Sequence, residues 1–341
     1  MRRSPSPHRR RRLLTALLLV GLGGLGLAGC RSQARLGEGL AIEQLLPADA
    51  ALYLSLNQAQ MAVFLPAWLA ANQAPASGRG LADGSADSTA YLAGQLAGYR
   101  ALLEPLISRS DRLVLAISLE RLEPSLELDA AAEVPTPATA ASPGTATLYA
   151  VAHGKYPASL FNLALAFDSA WLKSGRAWQH RASGLQIQPC GNELLLISNG
   201  AIQTLAAALD QPGAHPIPQR WLTAWAADLA VYVPDPLGKL LSSLPLDPAD
   251  VPLNGLLING QLAADGRYAM FMGFEFETAA SARLLTPVCR LFFYSLVHQA
   301  WPQEAVSILQ TSAWTVDGPV VAVSGFQLEA SATAGLLHLI P

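Results

Sequence analysis

The sequence TLYAVA at residues 147–152, followed by PAS at residues 157–159, returns in related form as AMFMGF at residues 269–274, followed by AAS at residues 279–281. In both places a short apolar run with β-branched or aromatic residues is typical of a buried strand. A segment with helical spacing follows each run, so each copy predicts a strand that leads into a helix.

Two more pairs of segments are alike in the same chain. ALYL at residues 51–54 resembles AVYV at residues 230–233, and LLLISNG at residues 194–200 resembles VVAVSG at residues 320–325. We therefore predict an α+β fold of two tandem related modules, with mainly antiparallel sheets packed by helices. Chance similarity among segments rich in alanine, leucine and valine is the alternative explanation.

Hydrophobic periodicity divides each module into strand, helix, two strands, helix, two strands and helix. Strands are predicted at residues 51–56, 112–119, 145–152, 185–188, 193–198, 229–233, 255–262, 268–276, 306–315 and 320–327. Helices are predicted at residues 58–71, 89–107, 158–172, 202–209, 236–244, 279–297 and 330–337. The turn residues Gly191-Asn192 and Asp317-Gly318 predict two hairpins, which favours antiparallel pairing.

Composition sets the boundaries of the modules. The predicted division is a leader at residues 1–29, a tether at residues 30–45, a first module at residues 46–212 and a second at residues 213–341. The first module is predicted to carry surface insertions near residues 72–89 and 123–144. These segments are rich in small residues or proline, and they bury too little apolar surface to offset the entropy of ordering them.

The first thirty residues have the features of an export signal. A basic run that ends at Arg12 precedes an uncharged apolar stretch, which ends in Leu27-Ala28-Gly29-Cys30. This segment resembles the lipobox of bacterial lipoproteins. The resemblance implies that the Cys30 thiol receives diacylglycerol and that the leader is removed before Cys30. The alternative is cleavage by ordinary signal peptidase, with Cys30 incidental.

The same resemblance implies a location. Two or three acyl chains anchor a protein stably, whereas one chain binds reversibly. In the sorting rule of many Gram-negative lipoproteins, Asp after the lipidated cysteine retains the protein in the inner membrane. The residue here is Arg31, so the resemblance implies an envelope protein that is lipid-anchored in the outer membrane.

Charge excludes one class of partner. Six of the 22 basic residues lie in the leader, which has no acidic residue, so the mature chain has 16 basic residues against 25 acidic ones, a net charge of −9. A surface of that sign repels phosphate backbones, and we expect no nucleic-acid partner.

The sequence carries no motif for chemistry. It lacks HExxH, CxxC and GxSxG patterns, so we predict that the protein is not an enzyme and has no metal site or cofactor. Cys190 and Cys289 form an even pair in an oxidising compartment, and a disulfide that ties the modules together is one possibility; two free thiols are the other. Trp221 and Trp225 are one helical turn apart, which favours the core over an exposed platform.

These observations favour a non-catalytic binding or scaffold protein of the bacterial envelope, held at the membrane through Cys30. Its expected partners are the membrane, through the anchor, and either a protein or an apolar ligand. A carrier of an apolar ligand such as a lipid is the alternative, suggested by the apolar fraction of 51%. A cell-wall hydrolase with carboxylates far apart in sequence is a third hypothesis.

Overall fold

A computed structural model describes residues 41–73, 108–119, 146–181, 183–236, 251–333 and 336. The strands in these ranges are β1 (Leu52–Asn57), β2 (Ser110–Leu119), β3 (Ala146–Gly154), β4 (Trp171–Ser174), β5 (Ala177–His180), β6 (Gln186–Cys190), β7 (Leu194–Ser198), β8 (Leu229–Pro234), β9 (Leu253–Leu262), β10 (Arg267–Phe276), β11 (Ala313–Asp317) and β12 (Val320–Glu329). The α-helices are α1 (Gln58–Gln73), α2 (Ala158–Phe167), α3 (Ile202–Asp210), α4 (Leu222–Trp225), α5 (Ala279–Ala300) and α6 (Ala305–Thr311), and two 3₁₀ turns lie at Ile42–Leu45 and Gln219–Trp221.

All twelve described strands belong to one sheet. The strand order is β11-β12-β10-β9-β8-β1-β2-β3-β7-β6-β5-β4, and every neighbouring pair is antiparallel. The predicted α+β class with antiparallel pairing is confirmed. β1 pairs with β8 in the middle of the sheet, where Tyr53 lies opposite Tyr232. The strands of the two predicted modules therefore share a single sheet.

Strand order is the same on both sides of this central pair. From the centre outward, one side runs β1-β2-β3-β7-β6 and the other β8-β9-β10-β12-β11. On each side the third strand leads into a helix, α2 after β3 and α5 after β10. The first side continues with the β4–β5 hairpin, which forms its outer edge.

Both faces of the sheet are buried, because side chains alternate along a strand and both sets are covered. In β1, Leu52, Leu54 and Leu56 belong to one core cluster, and Tyr53 belongs to a second. The first cluster is covered by α1, α2, α5 and α6, and we call this side the helix face. The second is covered by α3, α4 and the two 3₁₀ turns, and we call it the turn face.

The two predicted hairpins are confirmed. β6 and β7 pair across Gly191, and β11 and β12 pair across Gly318. Both glycines have positive φ, +65° and +53° respectively, a conformation that glycine adopts without the steric penalty of a Cβ atom.

Two elements differ from the sequence prediction. Residues 306–315 were expected to form one strand, but α6 occupies Ala305–Thr311 and only β11 follows as a strand. Ala305 and Ile308 are buried three residues apart, which is helical spacing that the β-branched residues of this short segment obscured. The predicted helix at residues 158–172 ends at Phe167.

A local turn explains that earlier end. The Asp168 carboxylate accepts a hydrogen bond from the Ala170 backbone N–H at 2.9 Å, a turn that competes with helix continuation. β4 and β5 follow, four residues each, and they were missed because such short strands carry little periodicity. The helices predicted at residues 89–107 and 236–244 lie wholly or mostly outside the described residues. Of the helix predicted at residues 330–337, residues 330–333 and 336 are described, and they form turn and 3₁₀ structure rather than an α-helix.

Candidate functional site

Helix α2 exposes apolar side chains at its outermost positions. Leu160 is 63% exposed and Phe167 is 83% exposed, and Leu163 lies between them on the same side of the helix. Its inner side packs on the sheet through Leu165 and Phe161. The helix ASLFNLALAF contains no charged residue, so it is apolar on the side that packs and on the side that faces solvent.

Helix α5 has the same property over a greater length. Its inner side is buried through Cys289 and Phe293. On its outer side Leu284 is 78% exposed and Leu291, two turns further on, is 69% exposed. Val288 and Tyr294 flank them and are also exposed.

The only formal charges on α5 are two arginines. Arg283 and Arg290 are exposed and lie seven residues apart, beside the leucine stripe. The Arg290 guanidinium lies 5.5 Å from the centre of the Trp314 ring, a cation–π contact that holds its charge close to the helix. Helices α1, α2, α5 and α6 contain no acidic residue.

Exposed apolar side chains are concentrated on the helix face. Twelve large hydrophobic residues are exposed in the described part of the chain, and eight of them lie on α2, α5 and α6. Those eight are Leu160, Leu163, Phe167, Leu284, Val288, Leu291, Tyr294 and Val306. Helices α3 and α4 of the turn face carry none of the twelve. Four of the eight form a row along α5, and contiguous apolar exposure of this kind is typical of binding surfaces.

On the turn face, by contrast, a buried glutamate is held by hydrogen-bonding and charged partners. Trp225 Nε1 donates to Glu43 Oε1 at 3.0 Å, and Arg112 Nη2 lies 2.8 Å from the same oxygen. Glu43 is only 3% exposed. A carboxylate at that depth needs such partners, because burial of an unpaired charge is costly.

A second tryptophan repeats this arrangement. Trp221 Nε1 donates to Glu275 Oε2 at 2.6 Å, and Arg220 Nε lies 3.3 Å from Oε1. Gly273 lies under the indole, where an added Cβ would be 2.6 Å from Trp221 Cη2. The prediction that both tryptophans belong to the core is confirmed. Their glutamate partners were not predicted, because Glu43 and Trp225 are 182 residues apart in sequence.

Burial keeps three tyrosines of the core neutral, because it raises the pKa of each. The Tyr53 hydroxyl donates to Pro47 O at 2.7 Å and accepts from Ala50 N at 3.2 Å, and burial raises its pKa to about 12. Burial likewise raises the pKa of Tyr156, whose hydroxyl bonds to Ser110, to about 12. Burial, with the Glu275 carboxylate nearby, raises the pKa of Tyr232 further.

The two described cysteines lie in different parts of the core. Cys190 belongs to the turn-face cluster and Cys289 to the helix-face cluster, and both are free thiols. Burial raises the pKa of Cys289 to about 12 and also raises that of Cys190. The structure therefore does not bring together the pair offered as a disulfide, and low thiolate content makes both thiols unreactive at neutral pH. Cys30 lies outside the described residues.

The described ranges contain no cluster of metal-binding side chains. These residues contain no group of three or more His, Cys, Asp or Glu side chains able to hold a metal ion. His153 Nδ1 lies 3.9 Å from Asp111 Oδ2 at the protein surface. His180 Nδ1 lies 2.7 Å from Ser183 Oγ. No helix among the described residues has both the length and the apolar character needed to cross a bilayer.

Comparison with known proteins gives a likeness of fold. No protein-family model and no curated protein matches the chain. Among solved structures, three crystal forms of the protein TP0453 are similar. Crystal form I has a TM-score of 0.52 at 12% identity and covers 88% of this chain and 97% of that one. Form III has a TM-score of 0.50 at 11% identity with coverage of 88% and 99%, and form IV a TM-score of 0.51 at 11% identity with coverage of 89% and 99%. The likeness extends over nearly the whole of TP0453 and, at this identity, shows that the two proteins share a fold.

Proposed function

We propose that this chain is a lipoprotein of the bacterial envelope, anchored in the outer membrane through acylated Cys30, and that it acts without catalysis as a binding or scaffold protein. The observation that carries the binding role is the apolar outer surface of α2 and α5. We call the exposed residues Leu284, Val288 and Leu291 on α5 the apolar patch. The exposed residues of α2 form a separate surface, because α2 contacts β4 and β6 at one end of the sheet and α5 contacts β10, β11 and β12 at the other.

The energetics of the apolar patch favour a bound partner. Each large apolar side chain that leaves water contributes about 1.5–3 kcal/mol when it is fully buried. Packing within the chain does not need these residues, because α2 and α5 are already seated through Leu165, Cys289 and Phe293. Their exposure is then best understood as a surface kept available for another molecule.

The buried polar groups support a role without chemistry. Glu43 and Glu275 are each held by an indole and an arginine, so neither is presented to a substrate. The raised pKa of the Cys289 thiol makes it a packing group rather than a nucleophile.

We also propose that the two halves are related modules. The matching strand order on both sides of β1 and β8 supports this proposal. It would place α2 and α5 at equivalent positions, since each follows the third strand of its half. The exposed apolar surfaces of α2 and α5 would then be corresponding but separate surfaces on the helix face.

Metabolic labelling tests the anchor. Labelled palmitate is supplied to cells that express the wild-type chain, Cys30→Ser or Cys190→Ser. We expect label in the wild type and in Cys190→Ser, which retains the acceptor thiol, and none in Cys30→Ser. Equal labelling of Cys30→Ser and the wild type would contradict the proposal.

A further inference from the structure

The chain enters the folded body on the turn face. Ile42 and Leu45 are buried in the turn-face cluster, and Gln44 O accepts a hydrogen bond from Gly213 N at 3.2 Å. Glu43 is fixed there by Trp225 and Arg112. The 3₁₀ turn lies against α3 and β3, and β3 is an interior strand of the sheet.

The distance from Cys30 to this entry point is limited. Ten residues lie between Cys30 and Ala41, and the eleven Cα–Cα steps that join these two residues span at most about 38 Å. A path from the turn face around the strand ends to the outer surface of α5 is roughly 30–40 Å, given strand rise, layer spacing and helix diameter. The helix face would reach the anchoring bilayer only with the connection almost fully stretched, which is entropically unfavourable. A random chain of eleven residues has an end-to-end distance of about 18 Å, which is enough to place the turn face against the bilayer.

Charge restricts what the apolar patch binds. Arg283 and Arg290 border the leucines of α5, and no carboxylate lies on α1, α2, α5 or α6 to balance them. A second copy docked through the same face would bring arginines toward arginines without a counter-charge, which is unfavourable. A partner surface with an apolar centre and an acidic rim would cover the leucines and also pair with the arginines.

We propose that the helix face points away from the anchoring bilayer and binds a protein surface with an apolar centre rimmed by carboxylates. This inference rests on the proposed lipidation of Cys30. It assigns the turn face to the lipid headgroups and the apolar patch to a protein partner.

Fluorescence quenching tests the orientation. A single cysteine is introduced at Leu291→Cys on α5 or at Ala207→Cys on the exposed side of α3, and each is labelled with a fluorescent maleimide. The native Cys190 and Cys289 are buried and do not compete. The lipidated full chain is bound to phosphatidylcholine vesicles that carry a nitroxide on the lipid headgroup. We expect the label at position 207 to be quenched and the label at position 291 to keep its intensity. Equal or stronger quenching at position 291 would overturn the proposal in favour of direct membrane contact.

Two matched peptides test the partner chemistry. Both are amphipathic helices with the same leucine face, one flanked by glutamates and the other by lysines, and they are titrated against the lipidated chain in neutral nanodiscs, with empty nanodiscs as the blank. We expect the glutamate peptide to bind about fivefold more tightly, as two solvent-exposed ion pairs predict. The double variant R283E/R290E should reverse this preference. No preference, or one that the double variant leaves unchanged, would overturn the proposal.

These outcomes are separable from failure of the anchor. Flotation of the same vesicle samples reports whether the wild-type chain is membrane-bound. A chain that does not float contradicts the lipidation, whereas one that floats with position 291 quenched contradicts only the orientation.

Discussion

Helices α2 and α3 are of similar length and lie on opposite faces of one sheet, yet they meet solvent in different ways. α3, nine residues long, buries Ile202 and Leu205 and exposes Gln203 and Thr204. α2, ten residues long, buries Leu165 and exposes leucine and phenylalanine. Helix α3 on the turn face exposes polar side chains to solvent. The helix face exposes large apolar side chains, and nothing in the described chain covers them. The comparison predicts that the polar contacts of the turn face are sensitive to substitution, whereas the outer side of the helix face tolerates substitution without loss of stability.

The buried carboxylate of the turn face should be the most sensitive position. Glu43→Ala leaves Arg112 and the Trp225 N–H without their shared acceptor, and we expect a loss of about 3 kcal/mol in the free energy of unfolding. Urea denaturation measures it. The matched control is Glu329→Ala, which breaks an exposed 2.9 Å ion pair with Arg267 and should change stability by less than about 1 kcal/mol. Equal effects of the two variants would contradict the assigned role of Glu43.

The second largest loss of stability is expected where Gly273 packs against the Trp221 indole. Gly273→Ala places a Cβ 2.6 Å from the Trp221 ring, and we expect a loss of about 1–3 kcal/mol from overpacking, measured by urea denaturation. Gly213→Ala is the control, because its Cβ would meet Gln44 O at an ordinary 3.6 Å. A Gly273→Ala variant as stable as the wild type would show that the indole has room to move.

Alkaline pH should weaken the folded state through the turn-face tyrosines. Burial raises the pKa of Tyr53 from its ordinary value of 10.0 to about 12, so its contribution to stability is complete below pH 10 and is lost as pH rises toward 12. We expect the free energy of unfolding to fall over that window, and Tyr53→Phe to reduce the slope. A slope identical to that of the wild type would contradict the assignment to Tyr53.

The apolar patch should give the smallest change in stability. Leu291→Gln alters an exposed side chain, and we expect a stability change within about 0.5 kcal/mol. The same variant should bind less of a hydrophobic fluorescent dye than the wild type, because an apolar group has left the patch. Thr204→Gln on α3 is the control and should leave dye binding unchanged. A large stability loss in Leu291→Gln would mean that this residue belongs to the core.

Much of the sheet is predictable from sequence, because the signals for its long strands and tight turns lie within a few neighbouring residues. Strands such as β10 and β12 have long apolar runs, and Asp317-Gly318 encodes the turn that joins β11 to β12. The short β4–β5 hairpin lacked that signal. α6 resembles a strand in sequence because it is short and contains the β-branched residues Val306 and Ile308 at alternate positions. Only the burial of its side chains in the fold distinguishes a helix from a strand there.

The candidate site was less accessible to sequence reasoning. The absence of charge in α2 is visible in the sequence, but an apolar helix of this kind is normally interpreted as core. Only the fold shows that Phe167 faces outward. The contact between Glu43 and Trp225 joins residues 182 positions apart in sequence, and no local pattern predicts a pair so far apart.

The pairing of β1 with β8 has a consequence during synthesis of the chain. β1 ends at Asn57, and its central neighbour is complete only at Pro234, so the emerging chain exposes an unpaired hydrogen-bonding edge for about half of its translation. Such an edge invites pairing with other chains until its partner arrives. Contacts this distant in sequence also slow folding. A prematurely terminated chain would keep that edge open permanently, which makes the centre of the sheet the point where truncation leads to aggregation.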